Sequence, residues 1–330
     1  MSTDEHEVAD RYGRFARDEA PGRSALYAAW AARVAADPAI ARLLARIPAT
    51  RRQPPLVFAI CRMLGAPETD AAAWADWLEP HIDEVVDEAS RRSLQTNEPL
   101  RCAALLPALS QIEGPIALLE LGASAGLCLH PDRYSYRYAD GPALDPSAGA
   151  SAVVLESRLT GDAAVRLPEV VWRAGVDLAP LDPRDRADRA FLRALVWPGE
   201  TGREERIRAA LDIAAAHPAP IWTGDASDPD VVREAARQAP VDATLVVTTP
   251  GLLPHVPRAG RERILPVLAG GPWRWVTIDP AGLHDAWRPA LHADEWRGGF
   301  VLGLDARPIA VVDPLGAFVE WRAGPATARG

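Results

Sequence analysis

One stretch constrains this chain more than any other: Ile116 to Leu129, IALLELGASAGLCL. It opens with an apolar run, Ile116 to Leu119, of the kind that suits a strand covered on both faces in a parallel sheet. Glu120 closes the run, and Gly122, Ala123, Ser124, Ala125 and Gly126 follow, all of them small. Leu127, Cys128 and Leu129 begin a new apolar segment that reads as a helix start. A strand, a tight small-residue turn and a helix start make the ligand-binding geometry of α/β folds. Glycines there let the backbone approach a ligand and adopt dihedrals that a Cβ forbids.

Three readings of the turn stay open on these residues alone. In the first it is a cofactor loop, with an acid ending the strand and small residues at the second, fourth and sixth positions after it: Glu120, then Gly122, Ser124 and Gly126. In the second it is a nucleophile elbow, because Gly122 to Gly126 matches G-x-S-x-G. In the third it is a tight turn with no ligand.

Composition removes several function classes. The apolar share of 48% and charged share of 25% are those of a soluble globular chain, and 330 residues suffice for one large domain or two modest ones. No apolar run approaches the roughly 18–20 residues that span a bilayer, and the acidic start MSTDEHEVAD is not a secretory signal. Cys61, Cys102 and Cys128 include no CxxC pair, which points to a reducing cytoplasm and away from structural zinc. A net charge of −9 disfavours nucleic acid as a partner. All 36 basic residues are arginine, so Schiff-base and P-loop lysine chemistry is excluded.

Residues 1–113 read as a helical region without alternating strands, with Asp10–Ala20, Ser24–Ala36 and a Trp74/Trp77 helix whose tryptophans are read as core. Before the central strand, Thr96 or Asn97 reads as the cap of a helix with Pro99 in its first turn. Asn97, Glu98 and Arg101 are candidate pocket residues, because this helix leads into the glycine loop. After the loop, Tyr134 to Tyr138 reads as a second strand ending at Asp140, twenty residues beyond Glu120. A nucleotide-binding βαβ unit places a ribose-binding acid about that far on. Residues 141–219 read as an insertion that carries the substrate-contact candidates Arg173, Asp177, Asp182, Trp197 and Glu200. Strands resume at 220–225, 243–248 and 273–279, and a final strand pair lies at 300–304 and 309–313, extended by 318–321.

From residue 115 onward, the order of these elements resembles a Rossmann-type class I S-adenosylmethionine (SAM)-dependent methyltransferase. Leu118 to Gly126 resembles the family's first motif, with Ser124 where many members have glycine. Asp140 resembles the ribose-binding acid, and Thr223-Gly224-Asp225 the stretch whose Asp meets the adenine amino group. Leu245 to Thr248, followed by Leu252 to Val256, resembles the strand and loop bordering the methyl-transfer site. The closing strand pair resembles the antiparallel pair of such sheets. The match covers about 130 of 330 residues. The pieces QTNEPLRCAALLPAL, LLELGASAGL, WRAGVDLAPLD and LVWPGETGR resemble a domain-of-unknown-function family of high-GC bacteria across nearly the whole chain.

The resemblance implies an α/β fold with a mostly parallel Rossmann-like sheet over residues 114–330, SAM as cofactor and methyl transfer to a small-molecule acceptor. It implies a cofactor site of Glu120, Gly122, Ala123, Ser124, Gly126, Asp140, Asp225 and Thr248. Glu120 would meet the methionine amino group and Asp140 the ribose diol. Catalysis would come chiefly from placing the methyl group in line with a nucleophile. A base is needed only for an acceptor that arrives protonated, and His255, then His284, are the candidates. One alternative is a SAM-binding regulator or scaffold without transferase activity. A lesser one is a serine hydrolase using Ser124, Asp279 and His284, against which stand the helical residues before the turn and the lack of an HGGG-like oxyanion motif.

Overall fold

The structure, a computed structural model, describes residues 2–139 and 141–323. In chain order the helices are α1 (Thr3–Arg14), α2 (Ala25–Ala36), α3 (Pro38–Leu44), α4 (Pro54–Met63), α5 (Ala71–Arg91), α6 (Arg101–Leu109), α7 (Arg186–Ala194), α8 (Arg203–Ala216), α9 (Pro229–Ala236) and α10 (Arg258–Gly270). The chain divides into two compact units, Met1–Thr96 with Arg184–Arg208, and Asn97–Pro183 with Ala209–Gly330.

The first unit is helical. Ser2 and Glu5 form a reciprocal capping box on α1, and Ser24, Asp37, Asp70 and Asp185 cap α2, α3, α5 and α7 through their side chains. Its core is aromatic. Phe58 on α4 meets Tyr12, Tyr27, Trp30 and Trp74 with ring centroids 5.5, 5.1, 5.4 and 5.6 Å away. Trp30 and Trp74 stack at 5.1 Å. Trp74 is core, whereas Trp77 is half-buried and stacks on His81. Arg62 on α4 holds the end of α7, donating to the Ala194 and Val196 carbonyls at 2.9 and 2.6 Å.

The second unit is built on one sheet of eleven strands: β1 (Ile116–Leu121), β2 (Ser135–Ala139), β3 (Ala143–Leu144), β4 (Val154–Thr160), β5 (Val170–Asp177), β6 (Ile221–Thr223), β7 (Thr244–Pro250), β8 (Arg274–Asp279), β9 (Phe300–Leu304), β10 (Arg307–Val312) and β11 (Phe318–Trp321). Their order is β3-β2-β4-β11-β10-β9-β8-β7-β1-β5-β6. The block β6-β5-β1-β7-β8 is parallel throughout, and β9 and β10 add the antiparallel pair at its β8 side. All six residues of β1 are buried, as its apolar run requires.

Helix α6 is buried from Cys102 to Leu109 and touches β4, β8, β9 and β11. A helix apolar all round belongs inside a core. The opposite face of the parallel block packs Leu119, Val176, Val247 and Trp275 against Val232 of α9 and Ile264 and Leu268 of α10.

Three expectations are corrected by this topology. Leu127–Leu129 is a single 3-10 turn, followed by another at Pro131–Arg133, and not the start of a helix. Pro131 disfavours helical dihedrals at His130 and removes a backbone donor, so the segment cannot propagate. With no crossover helix, β2 does not join β1: it pairs with β3 and β4, its Tyr136 and Tyr138 donate to the carbonyls of Pro131 and Ala103, and Tyr134, just before it, donates to that of Leu127. The stretch read as an insertion, 141–219, is threaded into the sheet and supplies β3, β4 and β5. The strand beside β1 on the side away from β7 is therefore β5, which ends at Asp177.

Candidate functional site

In an open parallel sheet, ligands sit in the crevice at the carboxyl ends of the strands. In this unit those ends are Glu120-Leu121 of β1, Asp177 of β5, Thr223 of β6, Thr248 to Pro250 of β7 and Asp279 of β8. Glu120 and Thr248 are register partners on β1 and β7, and both side chains are buried.

The loop after β1 adopts left-handed dihedrals at every second residue: Gly122 at φ 77°, Ser124 at φ 53° and Gly126 at φ 73°. The glycines accept this readily, whereas the serine is strained there and is held from several sides. Its N–H donates to Asp177 Oδ2 at 2.8 Å, its carbonyl accepts from Leu181 at 3.1 Å, and its hydroxyl accepts from the Asn97 amide. The Ala125 N–H donates to Asn97 Oδ1 at 3.3 Å, which fixes which end of the amide faces Ser124. Gly175 of β5 lets the loop lie this close, since a Cβ there would stand 2.4 Å from Ala123 Cβ.

Asn97 is thus a fastener of the loop and not a helix cap, which corrects the expectation from sequence. α6 begins at Arg101 without a side-chain cap from Leu100, and Glu98 Oε1 accepts from the Leu100 N–H at 3.0 Å. The Glu98 carbonyl accepts from the Cys128 thiol at 3.5 Å. Arg101 donates to the Pro250 and Pro314 carbonyls at 3.0 and 2.9 Å. The segment 97–101 therefore buckles together the β1 loop, the end of β7 and the turn before β11. Asn97→Ala, which leaves the Ala125 N–H without its acceptor, is expected to cost about 1–3 kcal/mol of stability in chemical denaturation.

Glu120 is the electrostatic anomaly. It is 4% exposed, and its Oε2 is buried with no hydrogen-bond partner. Burial pushes its carboxyl well above the usual range; the Cys128 thiol and Asp177 add to this, and Arg101 opposes it. An uncompensated carboxylate at a strand end is costly to keep.

The remaining candidates separate. Asp225 follows β6, exposed, and accepts from the Ser227 N–H at 2.8 Å. Arg173 leaves β5 for the 3-10 turns, pairing with both oxygens of Asp132 and donating to the Leu129 carbonyl at 2.9 Å. It buttresses the segment that replaces the expected helix. Buried His130 beside it is pushed down to about 3 by burial and then by Arg173, so it stays neutral. Trp197 and Glu200 belong to the helical unit, where Trp197 packs on Phe15 and Tyr27 and Glu200 pairs with Arg23 and Arg203. Asp182 lies in the loop after β5. His255 lies exposed in the 3-10 turn Leu253–His255, its pKa lowered by partial burial and then by Arg101. His284 is buried against Asp279 at 3.4 Å. Asp140 lies outside the described residues. The acid that the topology sets beside the loop is Asp177; its signal in the sequence is the short run Ala174-Gly175-Val176 that it closes, obscured by reading 141–219 as an insertion.

No group of three or more His, Cys, Asp or Glu side chains able to hold a metal occurs among the described residues. All three cysteines are buried and unbridged. No helix among the described residues is long and apolar enough to cross a membrane.

Fold and site together define an α/β protein with a mostly parallel sheet and a left-handed small-residue loop at the end of its central strand. The chain belongs to the bacterial family DUF2332, described as an uncharacterized protein conserved in bacteria, whose model matches residues 9–321. No curated protein and no solved structure matches it.

Proposed function

We propose that this protein binds SAM in the crevice at the end of β1 and transfers its methyl group to a small-molecule acceptor. The observation that carries the reading is the buried, unpartnered Oε2 of Glu120 beside the left-handed loop. A cationic amino group offers that oxygen the donor and the charge it lacks. Asp177, whose oxygens accept from the Ser124 and Ala179 N–H groups at 2.8 and 2.9 Å, retains lone pairs for a ribose diol. Asp225 after β6 stands farther along the same edge for a base amino group.

The same features weigh against a dinucleotide. Pyrophosphate sites use a helix N-terminus, and this loop runs into a three-residue 3-10 turn. A buried acid at the strand end would repel phosphate and attract a cation. SAM carries a positive charge and no phosphate, and supplies an activated methyl group. The chain's part is to bind it, orient it and exclude water, since alignment alone supplies much of the rate.

Calorimetric titration with SAM and with its demethylated product tests this. Binding is expected, weakened by about 1–3 kcal/mol in Glu120→Ala and in Asp177→Ala. Unchanged affinity in both variants removes the site assignment, and no binding to wild type removes the cofactor.

A second reading, ester hydrolysis through Ser124, has one observation in its favour: the φ of 53° is that of a strained nucleophile turn. Against it, the Ser124 hydroxyl accepts from the Asn97 amide, and the imidazole of His284 is engaged by Asp279 and the Ala286 N–H. Hydrolysis of simple esters abolished by Ser124→Ala would restore it.

A further inference from the structure

At the end of β8 a second carboxylate is buried with one oxygen unpartnered. Asp279 is 0% exposed, and its Oδ1 has no hydrogen-bond partner. Its Oδ2 accepts from the Thr277 hydroxyl and faces His284 Nε2 at 3.4 Å.

Trp275 Nε1, which can only donate, gives its hydrogen to Thr249 Oγ1 at 3.0 Å. Thr249 then donates to Thr277 Oγ1 at 2.7 Å, and the Thr277 hydroxyl has two acceptors, Asp279 Oδ2 and, farther off at 3.3 Å, the Thr249 carbonyl. The Ala286 N–H donates to His284 Nδ1 at 3.3 Å, so that nitrogen carries no proton and Nε2 does. With the Thr277 hydroxyl nearer to Oδ2 than to the Thr249 carbonyl, both groups at Oδ2 are placed to donate to it, and both favour an ionised carboxylate. His284 is thereby fixed as a donor to Asp279, held against Trp287 at a ring distance of 4.7 Å, and is not itself a free base.

Asp279 also has the right address. Its strand neighbour β7 lies between it and β1; Glu120 is level with Thr248 and Thr248 with Val276, so Asp279 stands two strands across and three residues farther toward the carboxyl ends, about 14 Å from Glu120 along the backbone. The Gly251 N–H, where the loop after β7 begins, donates to the Ile278 carbonyl at 3.0 Å. A crevice-bound ligand at Glu120 and a group at Asp279 are thus within the span of one cofactor and its partner.

Resting on the SAM reading above, we infer that Asp279 is the proton acceptor of methyl transfer, with His284 as its positioning residue, and that the acceptor is an O–H or N–H nucleophile that arrives protonated. In the step, the acceptor's heteroatom forms a bond to the methyl carbon and the sulfonium S–C bond breaks. Its electron pair stays on sulfur, and the acceptor's proton passes to Asp279 Oδ1. The groups that bear on Asp279 are His284, Thr277 and, from α10, the cation of Arg261; burial raises its carboxyl above the ordinary value, and these three offset that only in part. Carboxylates, already ionised at neutral pH, need no such base.

Two measurements test the inference on the full chain. Infrared difference spectra of wild type minus Asp279→Asn need no acceptor. The expected result is an ionised Asp279 at pH 8, with the protonated-carboxyl band appearing only on acidification; a protonated band at pH 8 overturns the inference. The second uses methyl-labelled SAM with phenols, alcohols and amines against carboxylic acids. Transfer is expected to the protonated nucleophiles, falling at least about 100-fold in Asp279→Asn while SAM affinity stays within about twofold. His284→Gln, which can still donate, retains more activity than His284→Phe, and His284→Phe shifts the acidic limb of the pH profile upward. Full activity in Asp279→Asn, or transfer to carboxylates, overturns the inference while SAM binding stands. Loss of SAM binding in wild type would instead overturn the cofactor reading.

Discussion

Phe58→Ala is expected to destabilise the helical unit by about 3–5 kcal/mol. The ring is 0% exposed and lies among Tyr12, Phe15, Tyr27, Trp30 and Trp74, with centroids 5.1–6.2 Å away. Such neighbours cannot close a phenyl-sized hole without leaving their rotamers, since Trp30 and Trp74 are stacked on one another and flat indoles do not flow into a gap. Aromatic pairing adds to the transfer loss, at about 0.5–1.5 kcal/mol for each well-placed pair. Water is the one available compensation, because Tyr12 Oη and Trp30 Nε1 are buried without hydrogen-bond partners and would hydrate a vacated site. That sets the result toward the lower end of the range. The measurement is chemical denaturation followed by tryptophan fluorescence and by far-ultraviolet circular dichroism, with Trp77→Ala, half-buried beside His81, as a control of smaller effect. A Phe58→Ala loss below about 1 kcal/mol would mean that the cluster repacks, and the aromatic core would not be what holds these helices.

Much of this architecture was legible in the residues. The apolar run 116–119, the buried run at 244–248 and the closing strand pair mark strands because nothing but a covered sheet position suits them. The left-handed loop was legible in its small residues. What was not legible is pairing. Periodicity reports that Tyr134–Tyr138 is a strand and says nothing of its neighbour, so the twenty-residue spacing to Asp140 carries no information on which strand lies beside β1. The true neighbour of β1 is fixed by long-range packing, through Gly175 against Ala123 and the Ser124 N–H on Asp177. Asn97 misled in a related way: residues that cap helices also fasten loops, and only the position of Ser124 separates the two roles. Asp279 looked like a strand end, and its unpartnered oxygen is a property of what packs around it.

Glu120→Gln is expected to move stability and binding in opposite directions. In the wild-type protein the folded state holds this carboxyl well above its ordinary value of 4.5, chiefly through burial. A group whose folded pKa is raised binds its proton more tightly when folded, so its favourable contribution is complete below the unfolded value and is lost as pH rises through the folded one. At pH 8 the unliganded protein must either bury an unpartnered carboxylate or keep it protonated against the bulk pH. The neutral amide of the variant faces neither cost and fills nearly the same volume. The variant is therefore expected to be more stable than wild type by about 1–3 kcal/mol at pH 8, with the difference vanishing near pH 4. SAM affinity is expected to fall by a comparable amount, because the amide offers a cationic amino group no charge. Denaturation at the two pH values and calorimetry with SAM check both halves. A variant less stable than wild type at pH 8 would show that Glu120 is satisfied in the unliganded protein, and the argument from its unpartnered oxygen to a cationic ligand would fail. A more stable variant that still binds SAM as tightly would keep the electrostatics of β1 and move the cofactor elsewhere.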